Sequence, residues 1–257
     1  MKKSKIFIAL ISVVFVIIFI FSAYNVFKTL YEYNKANNLY TDIQEQYIES
    51  VEDTSIQETT EAKQAEDNNQ SLPISIDFEA LIEHNEDVVG WIYSPNEIIN
   101  YPVVQSDNNT YYLNKDINGN YLINGTIFAD YRNNSVAQDL NYIIYGHSMN
   151  NQSMFGTLLN YKNQSYYDKY PSMYYLTPEQ NYRVDLLAGS VVSPNDKIYQ
   201  TSPDPDLFQD YIEELCMKST FKSKNVYEYG DNVITLSTCS YEYDDARYVV
   251  IGKIVKI

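Results

Sequence analysis

Val233-Ile234-Thr235-Leu236-Ser237-Thr238-Cys239, then Ser240-Tyr241-Glu242-Tyr243-Asp244-Asp245-Ala246, then a second apolar run over 247–255, is the stretch on which the fold turns. Both flanks are rich in β-branched residues, and the acidic, polar segment between them has loop composition. The pair therefore predicts a hairpin that carries Arg247 back towards Cys239. Similar extended runs occur at 91–93 and 98–104, on either side of the turn Ser94-Pro95-Asn96-Glu97, and again at 122–130, 141–145, 173–177 and 182–193. Together they predict about eight strands, a mainly β fold with a closed or nearly closed barrel rather than a doubly wound sheet. Helical patterns are few and short. Asp77 is placed to cap a helix over 78–84, and 205–218 sets Leu207, Phe208, Tyr211, Ile212, Leu215 and Cys216 on one stripe.

The 257 residues are 45% hydrophobic and 15% aromatic, enough to fill one ordinary core with appendages left over. A net charge of -16 and a pI near 4.4 exclude a broad basic face for nucleic acid, because a polyanion would be repelled. No clustered His, Cys or carboxylate set has a ligand spacing, so neither a metal nor another cofactor is expected.

The N-terminal segment divides into pieces. Residues 1–5 carry Lys2, Lys3 and Lys5, and residues 6–23 are an uncharged apolar run long enough at helical rise to cross a bilayer. The bulky continuation after Ala23 argues for an uncleaved anchor over a signal peptide. The lysine bias predicts a cytoplasmic N-terminus with the rest of the chain outside. Residues 24–72 read as a helical stalk, with Phe27, Leu30, Leu39, Ile43, Tyr47 and Val51 at loosely helical spacing, followed by an acidic spacer. The folded domain is expected over 73–257.

Few side chains are available for nucleophilic or acid-base chemistry: His84 and His147, Cys216 and Cys239, and the arginines Arg132, Arg183 and Arg247. Cys239 ends one predicted strand and Arg247 begins the next, which sets a positive charge where a thiol would need it to ionise. A buried small hydrophobe beside a surface charge accounts for the same pair. His147 follows the strand pattern of 141–145 and Gly146, so it too sits at a strand end. His84 reads more simply as a helix-end residue, and Cys216 as part of an apolar stripe. A disulfide between the two cysteines is the rival use of both thiols in an oxidising compartment.

Thr235-Leu236-Ser237-Thr238-Cys239 with Arg247 downstream, and Tyr145-Gly146-His147 upstream, resemble the signatures of sortases. Asn100-Tyr101-Pro102-Val103-Val104-Gln105, Gly125-Thr126-Ile127-Phe128-Ala129-Asp130-Tyr131-Arg132-Asn133, and Tyr241-Glu242-Tyr243-Asp244-Asp245-Ala246-Arg247 resemble the class B branch. The resemblance spans about residues 76–257 and implies an eight-stranded sortase barrel with a helix in the connection between 193 and 232. It implies a cysteine transpeptidase that cuts an Asn-Pro-x-Thr-like sorting motif after Thr and joins it to a peptidoglycan amine. Cys239 would be the nucleophile, His147 the acid and base, and Arg247 the support for substrate backbone and oxyanion. Its partners would be exported proteins with a C-terminal sorting signal, peptidoglycan or its lipid-linked precursor, and the membrane. Asn109 and Leu113 would line the groove by the same likeness, and Ser237 shares the strand face of Cys239 by period-two alternation. A thiol endopeptidase that hydrolyses the peptide, and a non-catalytic barrel that binds wall peptides, are the alternative functions.

Overall fold

The structure, a computed structural model, describes residues 2–49, 72, 74–95 and 98–257. The acidic spacer beyond Glu49, the expected domain start at Pro73, and Asn96 and Glu97 of the first turn lie outside the described residues.

Eight strands close a barrel: β1 (Val88–Tyr93), β2 (Asn100–Val104), β3 (Ile127–Ala129), β4 (Asn141–Tyr145), β5 (Ser172–Leu176), β6 (Asn181–Val192), β7 (Val233–Cys239) and β8 (Arg247–Lys256). Around the barrel the order is β8-β6-β5-β1-β2-β3-β4-β7, returning to β8. β2 with β3 and β4 with β7 are parallel, and the other ladders are antiparallel. Closure leaves no edge unpaired, which a sheet this rich in valine, isoleucine and tyrosine would otherwise expose to aggregation. The interior is packed with Trp91, Val103, Ile144, Val184, Leu236 and Val250, all fully buried. The indole N–H of Trp91 donates to Asn100 Oδ1 at 2.7 Å, so the largest core side chain keeps no orphan donor.

The expected strand over 122–130 forms only across Ile127–Ala129. Gly125 adopts φ +58 and its N–H bonds to Leu122 O at 3.0 Å, so the chain turns sharply before it enters the sheet. Cys239 is the last residue of β7 itself, and β2 starts at Asn100, two residues later than the run suggested.

The helices are α1 (Lys2–Tyr47), α2 (Phe78–His84), α3 (Gln164–Lys169) and α4 (Pro205–Met217). Asp77 caps α2 by accepting from Ala80 N at 3.0 Å. Asp204 caps α4, with Pro205 in its first turn. On α4, Phe208, Ile212 and Leu215 pack on the outer surface formed by Leu187, Val249 and Ile251, whereas Leu207 is 71% exposed despite its place in the predicted stripe.

In α1 the stalk is continuous with the apolar run, in one helix of 46 residues. Its apolar part is exposed and is long and apolar enough to cross a membrane. Its last turns differ from a free stalk: Ala36, Tyr40, Ile43 and Tyr47 recur at helical spacing and are buried against the barrel. A two-residue ladder pairs Ile48 with Ile76, and Asp77 N donates to Tyr47 O, tying the helix end to α2.

One buried amide governs the connection between β6 and α4. Asn141 on β4 donates to Ile198 O at 2.6 Å and Gln200 O at 3.0 Å, while its own oxygen accepts from Thr235 Oγ1 at 2.7 Å. Asn141→Ala would orphan both carbonyls, and denaturant unfolding should show a loss of about 1–3 kcal/mol. A loss under ~0.5 kcal/mol would mean that the connection holds itself in place.

Candidate active site

Register brings the chemistry together. β4 runs parallel to β7 with Tyr145 opposite Ser237, and β8 runs antiparallel to β7 with Arg247 opposite Cys239. His147 and Cys239 therefore each lie two residues beyond a matched pair, at neighbouring strand ends, with Arg247 across the hairpin. Two bonds lock the alignment at the rim: Gly146 N donates to Ser237 O at 3.1 Å, and Thr238 Oγ1 donates to Gly146 O at 2.8 Å. Gly146 permits this approach because a Cβ there would fall 2.7 Å from Ile127 and 2.8 Å from Phe155.

His147, Cys239 and Arg247, each half-buried, line one cleft of about 280 Å³ together with Asn109, Leu113 and Ser237. Phe128 and Tyr145 add an aromatic wall. All six residues singled out in the sequence thus meet at one place. His147 Nε2 lies 2.6 Å from Leu113 O. A carbonyl only accepts, so Nε2 carries the hydrogen and Nδ1 is the nitrogen left for proton exchange. Leu113 contributes its backbone to His147 as well as lining the cleft. The Arg247 guanidinium donates to Asp245 O at 3.0 Å and Ala246 O at 3.1 Å, with Asp245 at φ 61 in the loop between β7 and β8. That strained residue turns its carbonyl onto the arginine.

Ser237 and Asn109 are more committed than free groove residues would be. Ser237 is 2% exposed, and its hydroxyl pairs with Tyr199 OH at 2.9 Å. Asn109 donates to Asp130 Oδ2 at 2.9 Å and accepts from Tyr131 N at 3.0 Å. Asp130 is a hub that the sequence reading did not single out. Fully buried, it also accepts from Tyr145 OH at 2.8 Å and from the Arg132 side chain at 2.8 and 2.7 Å. Arg132 goes on to donate to Tyr199 O at 3.0 Å, and Tyr199 stacks on Tyr145. One carboxylate thereby holds Asn109 and Tyr145 of the cleft and, through Arg132, the segment bearing Tyr199. Burial alone would raise the Asp130 carboxyl, but the bonds from Arg132, Tyr145 and Asn109 outweigh it and hold the group below the usual carboxylate range. Burial pushes the Tyr199 phenol up to about 12, so it stays protonated beside the Ser237 hydroxyl.

On the other side of Cys239, Lys162 binds Ser240 Oγ at 3.1 Å and ion-pairs with Glu242, which also accepts from Ser240. Although burial opposes ionisation, these two partners hold the Glu242 carboxyl down at about 2. The loop after the cysteine is thus pinned at both ends, by Lys162 and by Arg247.

The remaining candidates lie elsewhere. Cys216 is half-buried against the α4 cluster, and burial pushes its thiol up, the opposite of what a nucleophile needs. Both cysteines are free, which excludes the disulfide pairing in this structure. His84 bonds Tyr47 OH through Nδ1 and Asn118 through Nε2, linking α1 and α2 to the body. Among the described residues, no group of three or more His, Cys, Asp or Glu side chains converges to hold a metal ion.

The family model described as Sortase domain matches residues 92–255, which covers all eight strands but for the first residues of β1 and the last of β8. The chain belongs to the class B sortases. It is 30% identical to Sortase B of Listeria monocytogenes over 241 residues, 93% of this chain and 92% of the relative. The structure superposes on a sortase B from Bacillus anthracis with a TM-score of 0.71 at 28% identity, over 89% of this chain and 100% of that one. It matches a Staphylococcus aureus sortase B-substrate complex with a TM-score of 0.66 at 32% identity, over 70% and 85% of the two chains. This sortase is accordingly a cysteine transpeptidase, with the closed barrel of its class.

The Asp130 hub makes a pH-dependent prediction for this sortase. A folded carboxyl held below its unfolded value adds stability that is full at neutral pH and is lost as pH falls from about 4 through the depressed folded value. Asp130→Asn should cost about 1–3 kcal/mol at pH 7, since it leaves the buried donors from Asn109, Tyr145 and Arg132 one acceptor oxygen in place of two, while Arg132 itself still reaches solvent. In denaturant titrations the variant should also lose stability less steeply than wild type below pH ~4. Equal acid slopes would take Asp130 out of the acid response.

Proposed function

We propose that Cys239, His147 and Arg247 carry out a sorting reaction: cleavage of an exported protein's Asn-Pro-x-Thr-like signal after Thr, then transfer to a peptidoglycan amine. The observation that carries this reading is the meeting of the three side chains at adjoining strand ends around one cleft. Support for substrate binding on this fold comes from the S. aureus relative, which has been solved as a sortase B-substrate complex.

In the first half-reaction the Cys239 thiolate attacks the threonine carbonyl carbon, and the electron pair moves to oxygen. Arg247, assisted by a backbone N–H near Cys239, stabilises that oxyanion. Collapse breaks the C–N bond as imidazolium His147 gives its proton to the departing amine, leaving a thioester. In the second half, neutral His147 takes a proton from the incoming ammonium's conjugate amine as that amine attacks the thioester, and the thiolate leaves. The proton inventory closes with the imidazolium restored. A thioester prefers an amine to water, which suits transfer over hydrolysis.

In this reading, residues 6–23 anchor the enzyme with 1–5 in the cytoplasm, 24–72 join the anchor to the body, and 73–257 act outside the cell at the membrane surface. The apolar stretch of α1 supports the anchor, and Lys2, Lys3 and Lys5 support the orientation.

The test is a quenched-fluorescent sorting peptide assayed with and without an amine acceptor. Amine-dependent ligation product is expected. Cleavage at the same rate without amine, and no ligated product with it, would make the enzyme a hydrolase. Cys239→Ala should abolish turnover, His147→Ala should lower kcat/KM by roughly 10²–10⁴-fold, and Arg247→Ala by about 10²–10³-fold. Near wild-type activity in any of the three would remove that residue from the mechanism.

A further inference from the structure

Tyr40 lies on the docked face of α1, only 4% exposed. Its hydroxyl donates to Gly125 O at 2.6 Å and lies 3.2 Å from Thr126 Oγ1, and its ring meets Tyr101 edge-on at 5.2 Å. Each contact leads to a segment that braces His147.

On one side, Gly125 sits so close beneath the Tyr112 and Leu113 carbonyls that a Cβ would fall 2.5 Å from both oxygens. Thr126 N donates to Tyr112 O at 3.1 Å, and the next carbonyl, Leu113 O, is the partner of His147 Nε2 at 2.6 Å. On the other side, Tyr101 OH accepts from Met154 N at 3.1 Å. Met154 is a non-glycine residue at φ 55 and bridges to Ser148, while Phe155 N donates to His147 O at 3.0 Å. His147 is thus held at a ring nitrogen and at its backbone carbonyl by two segments that share contact with the Tyr40 phenol.

We propose that Tyr40 is a positioning residue for His147, so that the helix carrying the apolar stretch is part of the catalytic apparatus as well as its attachment. The proposal rests on the reading of His147 as acid and base. A Tyr40→Phe change keeps the ring contact with Tyr101 but leaves Gly125 O without its donor. The Gly125 backbone is then free to shift, and with it the carbonyl that orients the imidazole. Misplacement of a catalytic group by about 1 Å can cost 10²-fold in rate. Tyr47 provides the comparison. It anchors the same helix, but its hydroxyl bonds His84 on α2, whose other ring nitrogen meets Asn118 and not Gly125, Leu113 or Met154.

The experiment uses the full chain in detergent micelles, with the sorting peptide and a saturating amine, well below the melting temperature of every variant. Kinetics are measured for Tyr40→Phe, Tyr47→Phe, His147→Ala and the Tyr40→Phe/His147→Ala double variant. Tyr40→Phe should lower kcat by about tenfold or more, a larger change than in KM. Tyr47→Phe should lower the melting temperature but keep kcat within about twofold, and the double variant should be no slower than His147→Ala alone. If His147→Ala is inactive while Tyr40→Phe keeps wild-type kcat, the helix is a tether and the proposal fails by itself. Equal losses of kcat in Tyr40→Phe and Tyr47→Phe would also overturn it, since docking in general would then be the cause. An active His147→Ala would instead overturn the acid-base reading beneath it.

Discussion

The parallel pairing of β4 with β7 is the constraint on which the site depends. Tyr145 faces Ser237 across that ladder, and the antiparallel return of β8 sets Arg247 opposite Cys239. Because side chains alternate with a period of two, a slip of one residue on β7 would turn Cys239 away from the rim and present its neighbour there instead. The pairing is over-determined. Ile144 and Leu236 are anchored in the barrel core, Asn141 and Thr235 bond across the ladder, and Gly146 and Thr238 bond at the rim. The apolar core thus fixes the alignment of three polar groups that have no need to touch one another to be brought together.

Around that frame, the loops are held by polar contacts in place of apolar bulk. Asp130 gathers Asn109, Tyr145 and Arg132, and Arg132 reaches the Tyr199 segment. Lys162 with Glu242 holds the loop that leaves Cys239. Non-glycine residues with positive φ, Met154 and Asp245 among them, sit in the two loops that present His147 and Arg247. Such strain persists only where the surroundings dictate it, and preorganised dipoles of this kind are what acyl transfer requires.

Much of this was legible in the chain itself. The strands announce themselves through β-branched and aromatic runs, and a pool of two histidines, two cysteines and three arginines left little choice of chemistry. Geometry by itself left Cys239 either a nucleophile or a packing residue, and the likeness to class B sortases is what favours the nucleophile. Other features had no local signal. Asp130 reads as an ordinary acid at the end of a short strand, because its partners come from residues 109, 132 and 145. Tyr40 is one of 27 tyrosines, and nothing in its neighbours marks it as the one that reaches Gly125. The strand expected from Leu122 fails because Gly125 takes a left-handed turn, a choice made by its packing on Leu113.

The central claim is that the thiol at the end of β7 becomes acylated by a peptide cut after threonine. Intact-protein mass spectrometry of the enzyme mixed with a sorting peptide in the absence of amine tests it most directly. The account predicts an added mass equal to the acyl fragment ending in threonine, mapped by digestion to Cys239 and discharged when an amine is supplied. Peptide cleavage with no adduct, or an adduct mapped to Cys216, would contradict it.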